Sequence, residues 1–201
     1  MKKLFYIVLA GTILLLGYKI FFSSSSVNTG ISQYATIICF GDSLTYGTGA
    51  GKGMDYPSQL SKLMNKPVIN AGVPGDTTAS ALRRLKRDVL SQKPDIVLIT
   101  LGGNDLKNGV SKDVAFSNLK KIVESIQNGG ATVIIGGLKF PFRDRGYGKG
   151  YHELADETGA ILIPDIFEDI MGNRNMMSDP IHPNDAGYTR IAQRFYKAML
   201  P

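Results

Sequence analysis

The chain has 201 residues, 43% of them hydrophobic and 20% charged, with one Cys, two His and a formal charge of +6. That size and balance predict a single folded domain with its own core, and they exclude a mainly disordered or fibrous chain. One Cys cannot close an internal disulfide, and with two His it cannot build a Cys/His zinc finger.

Residues 1–26 read as a targeting element. Lys2 and Lys3 precede an apolar run from Leu4 to Tyr18; Lys19 interrupts it, Ile20-Phe21-Phe22 resumes it, and Ser23 to Ser26 end it. A basic start before an apolar stretch is the pattern of a secretory signal. With Lys19 snorkelling, residues 4–22 are also long enough to span a bilayer. The expected organisation is therefore a cleaved signal or N-terminal membrane anchor over 1–26, a linker over 27–34, and an extracytoplasmic domain over 35–201. Without Lys2, Lys3 and Lys19 the body carries 20 basic against 17 acidic residues, +3. So small an excess, with no aromatic interleaving, argues against a nucleic-acid partner.

From residue 35 the chain alternates strand and helix. Thr36 to Phe40 is a short β-branched apolar run, a buried strand. Residues 55–64 suit a helix, and Pro67-Val68-Ile69 begins a second strand. From Thr77 to Leu90, Leu82, Leu85 and Val89 form an apolar stripe. Arg83, Arg84, Lys86 and Arg87 lie largely opposite and read as a solvated face. Residues 95–100 are a third strand. Val114, Leu119, Ile122, Val123 and Ile126 make residues 111–128 an amphipathic helix that Gly129-Gly130 stops. Strands at 131–135 and 160–163 and helices at 147–158 and 184–199 complete the series. Apolar strands separated by helices predict an α/β fold: a three-layer α/β/α sandwich on a five-stranded parallel sheet, flavodoxin-like, its crevice beyond the carboxyl ends of the strands.

The segments that follow the strands carry the chemistry. Gly41-Asp42-Ser43-Leu44 follows the first strand and Asn70-Ala71-Gly72-Val73-Pro74-Gly75-Asp76 the second. Gly102-Gly103-Asn104-Asp105 follows the third, and Asp179-Pro180-Ile181-His182-Pro183 comes late in the chain. A serine needs a neighbouring base to become a nucleophile, and a histidine base needs a third group to orient it. Ser43, His182 and Asp179 supply that set. Asp179 lies three residues before His182, so one turn can hold both, stiffened by Pro180 and Pro183. An oxyanion needs N–H donors, and the expected ones are the Ser43 and Gly72 backbone amides and the Asn104 side chain. Asp42 is expected to orient the loop rather than react.

These four blocks resemble those of the SGNH (or GDSL) hydrolases, most closely the bacterial arylesterase, lysophospholipase and acyl-thioesterase branch. The likeness covers residues 35–199. It implies the SGNH hydrolase fold and a serine esterase with Ser43 as nucleophile, His182 as base and Asp179 as its partner. Ser43, Gly72 and Asn104 would form the oxyanion hole, and the substrate would be a small acyl ester or lipid-like molecule. The G-x-S-x-G elbow of α/β-hydrolases is absent, since Thr45 follows Leu44.

Other chemistries fit worse. Gly53 follows Gly51-Lys52 where a phosphate-binding loop needs Ser or Thr, and Gly102 to Asp105 lacks dinucleotide-site spacing. No H-x-x-x-H pair exists, so neither metal nor cofactor is expected. Leu106, Phe140, Pro141, Tyr147 and Ile181 are expected to line an acyl pocket in an open cleft. Cys39 reads as an inert core thiol and His152 as a surface or packing histidine. Two rivals remain: a deacetylase acting on cell-envelope polysaccharide, and a catalytically silent binding domain of the same fold.

Overall fold

The computed structural model describes residues 31–32, 35–139 and 144–200. The expectations for residues 1–26 and for Phe140 and Pro141 fall outside them. Five strands form one sheet in the order β2-β1-β3-β4-β5: β1 (Ile37–Gly41), β2 (Ile69–Gly72), β3 (Ile96–Thr100), β4 (Thr132–Gly136) and β5 (Ile161–Ile163). Every neighbouring pair is parallel. This is the expected doubly wound arrangement, and its composition follows from burial. The central strands β1, β3 and β4 are covered on both faces and, apart from Thr100 and the strand-opening Thr132, carry no polar side chain. Each buried aliphatic side chain there contributes about 1.5–3 kcal/mol. The edge strands β2 and β5 are only partly covered, so β2 tolerates an exposed Asn70.

The helices, in chain order, are α1 (Ser43–Tyr46), α2 (Tyr56–Met64), α3 (Thr78–Asp88), α4 (Gly103–Lys107), α5 (Lys112–Asn128), α6 (Tyr147–Thr158) and α7 (Asp185–Ala198). Their starts are chemically marked. Asp55 caps α2, Thr77 and Ser80 form a capping box on α3, Ser111 caps α5, and the Asn184 side chain accepts the Ala186 and Gly187 N–H groups of α7. Successive residues of β1 point to opposite faces. The Cys39 side meets Tyr56 of α2, which stacks on Phe195 of α7 at 5.2 Å, while the Phe40 side meets Arg84 of α3. Thus α2 and α7 cover one face; α3 covers the other, where it packs on α5 and α5 on α6. Cys39 is fully buried, and burial pushes its thiol pKa up, as an inert core thiol requires. His152 is exposed on α6.

Two elements were invisible to periodicity. Helices α1 and α4 have four and five residues, too few to show a 3.6-residue repeat, yet they begin with Ser43 and Gly103-Asn104. The expected solvated face of α3 needs one correction: Arg83, Lys86 and Arg87 are exposed, but Arg84 is buried against the strand ends. Among the described residues no helix is long and apolar enough to cross a membrane.

Candidate active site

The carboxyl ends of β1, β2 and β3 deliver three of the four blocks to one crevice. After β1 the chain turns sharply. The buried Asp42 side chain accepts the Leu44 N–H at 3.0 Å and caps α1, which sets Ser43 at the head of that helix. No described acceptor takes the Ser43 N–H.

The fourth block is built almost entirely by local bonds. Asp179 Oδ1 accepts the backbone N–H groups of Ile181 and His182, both at 2.8 Å. Oδ2 lies 2.7 Å from His182 Nδ1, and His182 Nε2 lies 3.1 Å from Ser43 Oγ. An ionised carboxylate only accepts, so Nδ1 carries the proton and Nε2 is free to take one from Ser43. Partial burial opposes ionisation of Asp179, but the bonds from the His182 ring and the two backbone amides prevail and hold its carboxyl below the usual range. The turn is docked from outside as well. Gly51 N–H donates to Asp185 Oδ1 at 2.7 Å, and Tyr188 Oη donates to the Thr48 carbonyl at 2.8 Å. The glycine-rich segment from Gly47 to Gly53 therefore serves as a seat for the histidine turn. A hydroxyl, imidazole and carboxylate in this line can move the hydroxyl proton onto the ring while the oxygen attacks carbon.

Asn104 lies in the first turn of α4, and its side chain reaches the residue before Ser43. Its Nδ2 donates to Asp42 Oδ2 at 3.2 Å and to the Asp76 carbonyl at 2.9 Å. The neighbouring Asp105, also buried, accepts the Thr78 N–H and hydroxyl at 2.9 and 2.7 Å, which fixes α4 to the start of α3. Burial pushes the Asp42 carboxyl from 3.8 up to about 7, although the Leu44 N–H and the nearby His182 ring pull the other way.

Gly72 departs from expectation. Its N–H donates to Asn70 Oδ1 at 2.9 Å and so is not open to a reacting oxygen. Glycine is required there for packing, since a Cβ would collide with the Tyr46 and Thr45 backbone of α1. Three residues on, Gly75 sits exposed with φ +83°, and no described acceptor takes its N–H. The next residue, Asp76, is the one whose carbonyl accepts Asn104.

The expected acyl pocket is also redrawn. Leu106 is 8% exposed and Tyr147 2%; Tyr147 donates to the Val110 carbonyl and packs edge-on against Phe116, so both belong to the core. Ile181, beside His182, is 48% exposed. The sequence reading missed Tyr46 and Val73, exposed apolar side chains that flank Ser43 and Gly72 along the chain. An apolar residue in an otherwise polar post-strand loop was the available signal.

Comparison with known proteins decides the family. Residues 39–190 match the GDSL-like Lipase/Acylhydrolase family. The chain belongs to that family. It is 31% identical over 193 residues to an arylesterase of Vibrio mimicus, covering 89% of this chain and 94% of that protein. It is 29% identical over 177 residues to the thioesterase 1/protease 1/lysophospholipase L1 of Escherichia coli, covering 83% of this chain and 84% of that protein. Among solved structures, TesA superposes with a TM-score of 0.77 at 28% identity, over 81% of this chain and 97% of that one. The psychrotrophic esterase EstA from Pseudoalteromonas sp., inhibited by monoethylphosphonate, superposes with a TM-score of 0.74 at 26% identity, over 82% and 96% of the two chains. The protein is a serine esterase of the GDSL/SGNH type with the SGNH hydrolase fold.

Proposed function

We propose that this GDSL-family esterase hydrolyses carboxylic esters through an acyl-enzyme on Ser43, with His182 as general base and acid and Asp179 orienting the ring. The 3.1 Å approach of His182 Nε2 to Ser43 Oγ, with Asp179 2.7 Å from Nδ1, carries this reading. His182 takes the hydroxyl proton as Ser43 attacks and then returns it to the leaving alcohol; water repeats the cycle on the acyl-enzyme. The oxyanion is held by the Ser43 N–H, the Gly75 N–H and Asn104 Nδ2, with Gly75 taking the place expected of Gly72. Both Asn104 N–H bonds are engaged before substrate arrives, and the 3.2 Å bond to Asp42 is the weaker one, which the oxyanion draws on.

Tyr46, Val73 and Ile181 supply an exposed apolar border for the acyl group, which favours an open cleft and short to medium chains. The names of the relatives extend the candidate substrates to aryl esters, thioesters and lysophospholipids. The basic and apolar pattern of residues 1–26 supports export, as a cleaved signal or an anchor over 4–22, and so an extracytoplasmic site of action. Serine-directed phosphonate labelling together with p-nitrophenyl acetate hydrolysis tests the mechanism. Ser43→Ala should abolish both; labelling that persists at another residue refutes the assignment. Activity on longer p-nitrophenyl esters, or on acetylated envelope polysaccharide in preference to them, sets the acyl range and decides against or for a deacetylase.

A further inference from the structure

The guanidinium of Arg84 occupies a position that its sequence context conceals. It stands in the run Arg83-Arg84-Leu85-Lys86-Arg87, yet its side chain is only 9% exposed while its neighbours Arg83, Lys86 and Arg87 face solvent. Its plane lies over Phe40, 4.3 Å from the ring centroid. Nε donates to Asp76 Oδ2 at 2.5 Å, Nη2 to the Gly41 carbonyl at 2.9 Å, and Nη1 to the Ala71 carbonyl at 3.0 Å and Asp88 Oδ2 at 3.1 Å.

Asp88 belongs to the same helix, but the other three acceptors are the roots of the oxyanion hole. Gly41 ends β1 and leads through Asp42 to Ser43. Ala71 lies near the end of β2, four residues before Gly75. Asp76 follows Gly75, and its own carbonyl receives Asn104 Nδ2. Ser80 also donates to Asp76, at 2.6 Å. One planar fork therefore binds the ends of two adjacent strands and the turn beyond the second. A lysine, with three donors about a single point, could not reproduce that spread.

A buried ion cluster gives little net stability compared with an apolar side chain of similar size, because desolvation offsets the attraction. Its distinctive contribution is geometry. We propose that Arg84 is a positioning residue for the oxyanion hole, a clamp that fixes the Ser43 and Gly75 amides and the Asn104 side chain relative to one another. This rests on the acyl-enzyme reading above. The clamp acts on the transition state because misplacing prearranged donors by about an ångström costs up to about a hundredfold in rate while substrate binding is little changed.

The test uses the whole folded protein and three readouts: kcat and KM for p-nitrophenyl acetate, affinity for an alkyl boronic acid whose serine adduct presents a tetrahedral oxyanion, and coupling to Asn104→Ala. Arg84→Lys should lower kcat by about ten- to a hundredfold with KM within about twofold, and boronate affinity should fall by a similar factor. In the Asn104→Ala background the same change should cost less, because one of the three donors being positioned is already gone. Arg83→Lys, on the exposed face, should leave all three unchanged. A lower melting temperature with unaltered kcat and boronate affinity overturns the proposal, as does an equal rate loss with and without Asn104. If Arg84→Lys does not fold, Asp76→Asn, which weakens only one arm of the fork, must show the same kcat and boronate losses or the clamp is refuted. Failure of Ser43→Ala to abolish activity would instead strike the underlying mechanism, so the two failures are separable.

Discussion

Asp42→Asn isolates the charge buried beneath the site. Asp42 is 3% exposed, and its carboxyl titrates near 7 in place of 3.8. Between those values the folded protein holds a proton that the unfolded chain releases, so this group makes stability fall as pH rises. The slope is about 1.4 kcal/mol per pH unit, about 4 kcal/mol in all by pH 7. Asparagine has nearly the same shape, keeps an oxygen for the Leu44 N–H, and cannot ionise. It does lose the bond from Asn104 Nδ2, a cost of about 1 kcal/mol. The variant should therefore be slightly less stable than the parent near pH 4, equal to it at about pH 4.5, and about 3 kcal/mol more stable near pH 7.5. Urea unfolding of the two proteins at several pH values measures the difference directly, with the other carboxylates cancelling. A stability difference that stays flat from about pH 4 to 7.5 refutes the buried-charge argument. The same variant should be a slower esterase, because Asn104 has lost one of its two anchors.

Asn104→Ala should reduce kcat by about a hundredfold or more while the protein stays folded. It also leaves Asp42 Oδ2 and the Asp76 carbonyl without a donor, so its melting temperature should fall by an amount matching about 1–3 kcal/mol; full turnover by the purified variant excludes Asn104 from the oxyanion hole. Asp179→Asn should lower kcat by about a hundredfold or more with KM little altered, since the His182 ring loses the acceptor that fixes its tautomer. The Asp179 carboxyl is held below the usual range, so this support persists as pH falls through that range and disappears only below it. A rate–pH profile that stays flat on acidification toward protonation of the imidazole would count against a histidine base.

Several features were legible in sequence because they are local. The strands β1, β3 and β4 are continuous apolar runs because both faces of a parallel sheet are covered, and that alone announces the doubly wound fold. The pairing of Asp179 with His182 needed only a three-residue spacing and a turn. Ser43 and Asn104 stood out as polar groups just beyond strand ends, where such folds place their crevice.

What the sequence left undecided depended on partners remote in the chain. Asn70 removes the Gly72 amide from use, and α1 rather than substrate fills the space beside it, so the open amide is that of Gly75. Leu106 and Tyr147 follow strands, as a pocket residue would, but the packing of α4 and α6 turned them inward. Arg84 stands in a run with the composition of a solvated face, and only tertiary packing sets its fork on three separate segments. Periodicity and motif spacing report what each segment prefers by itself. The availability of a donor and the burial of a charge belong to groups that share a space, and tertiary packing alone assigns that space.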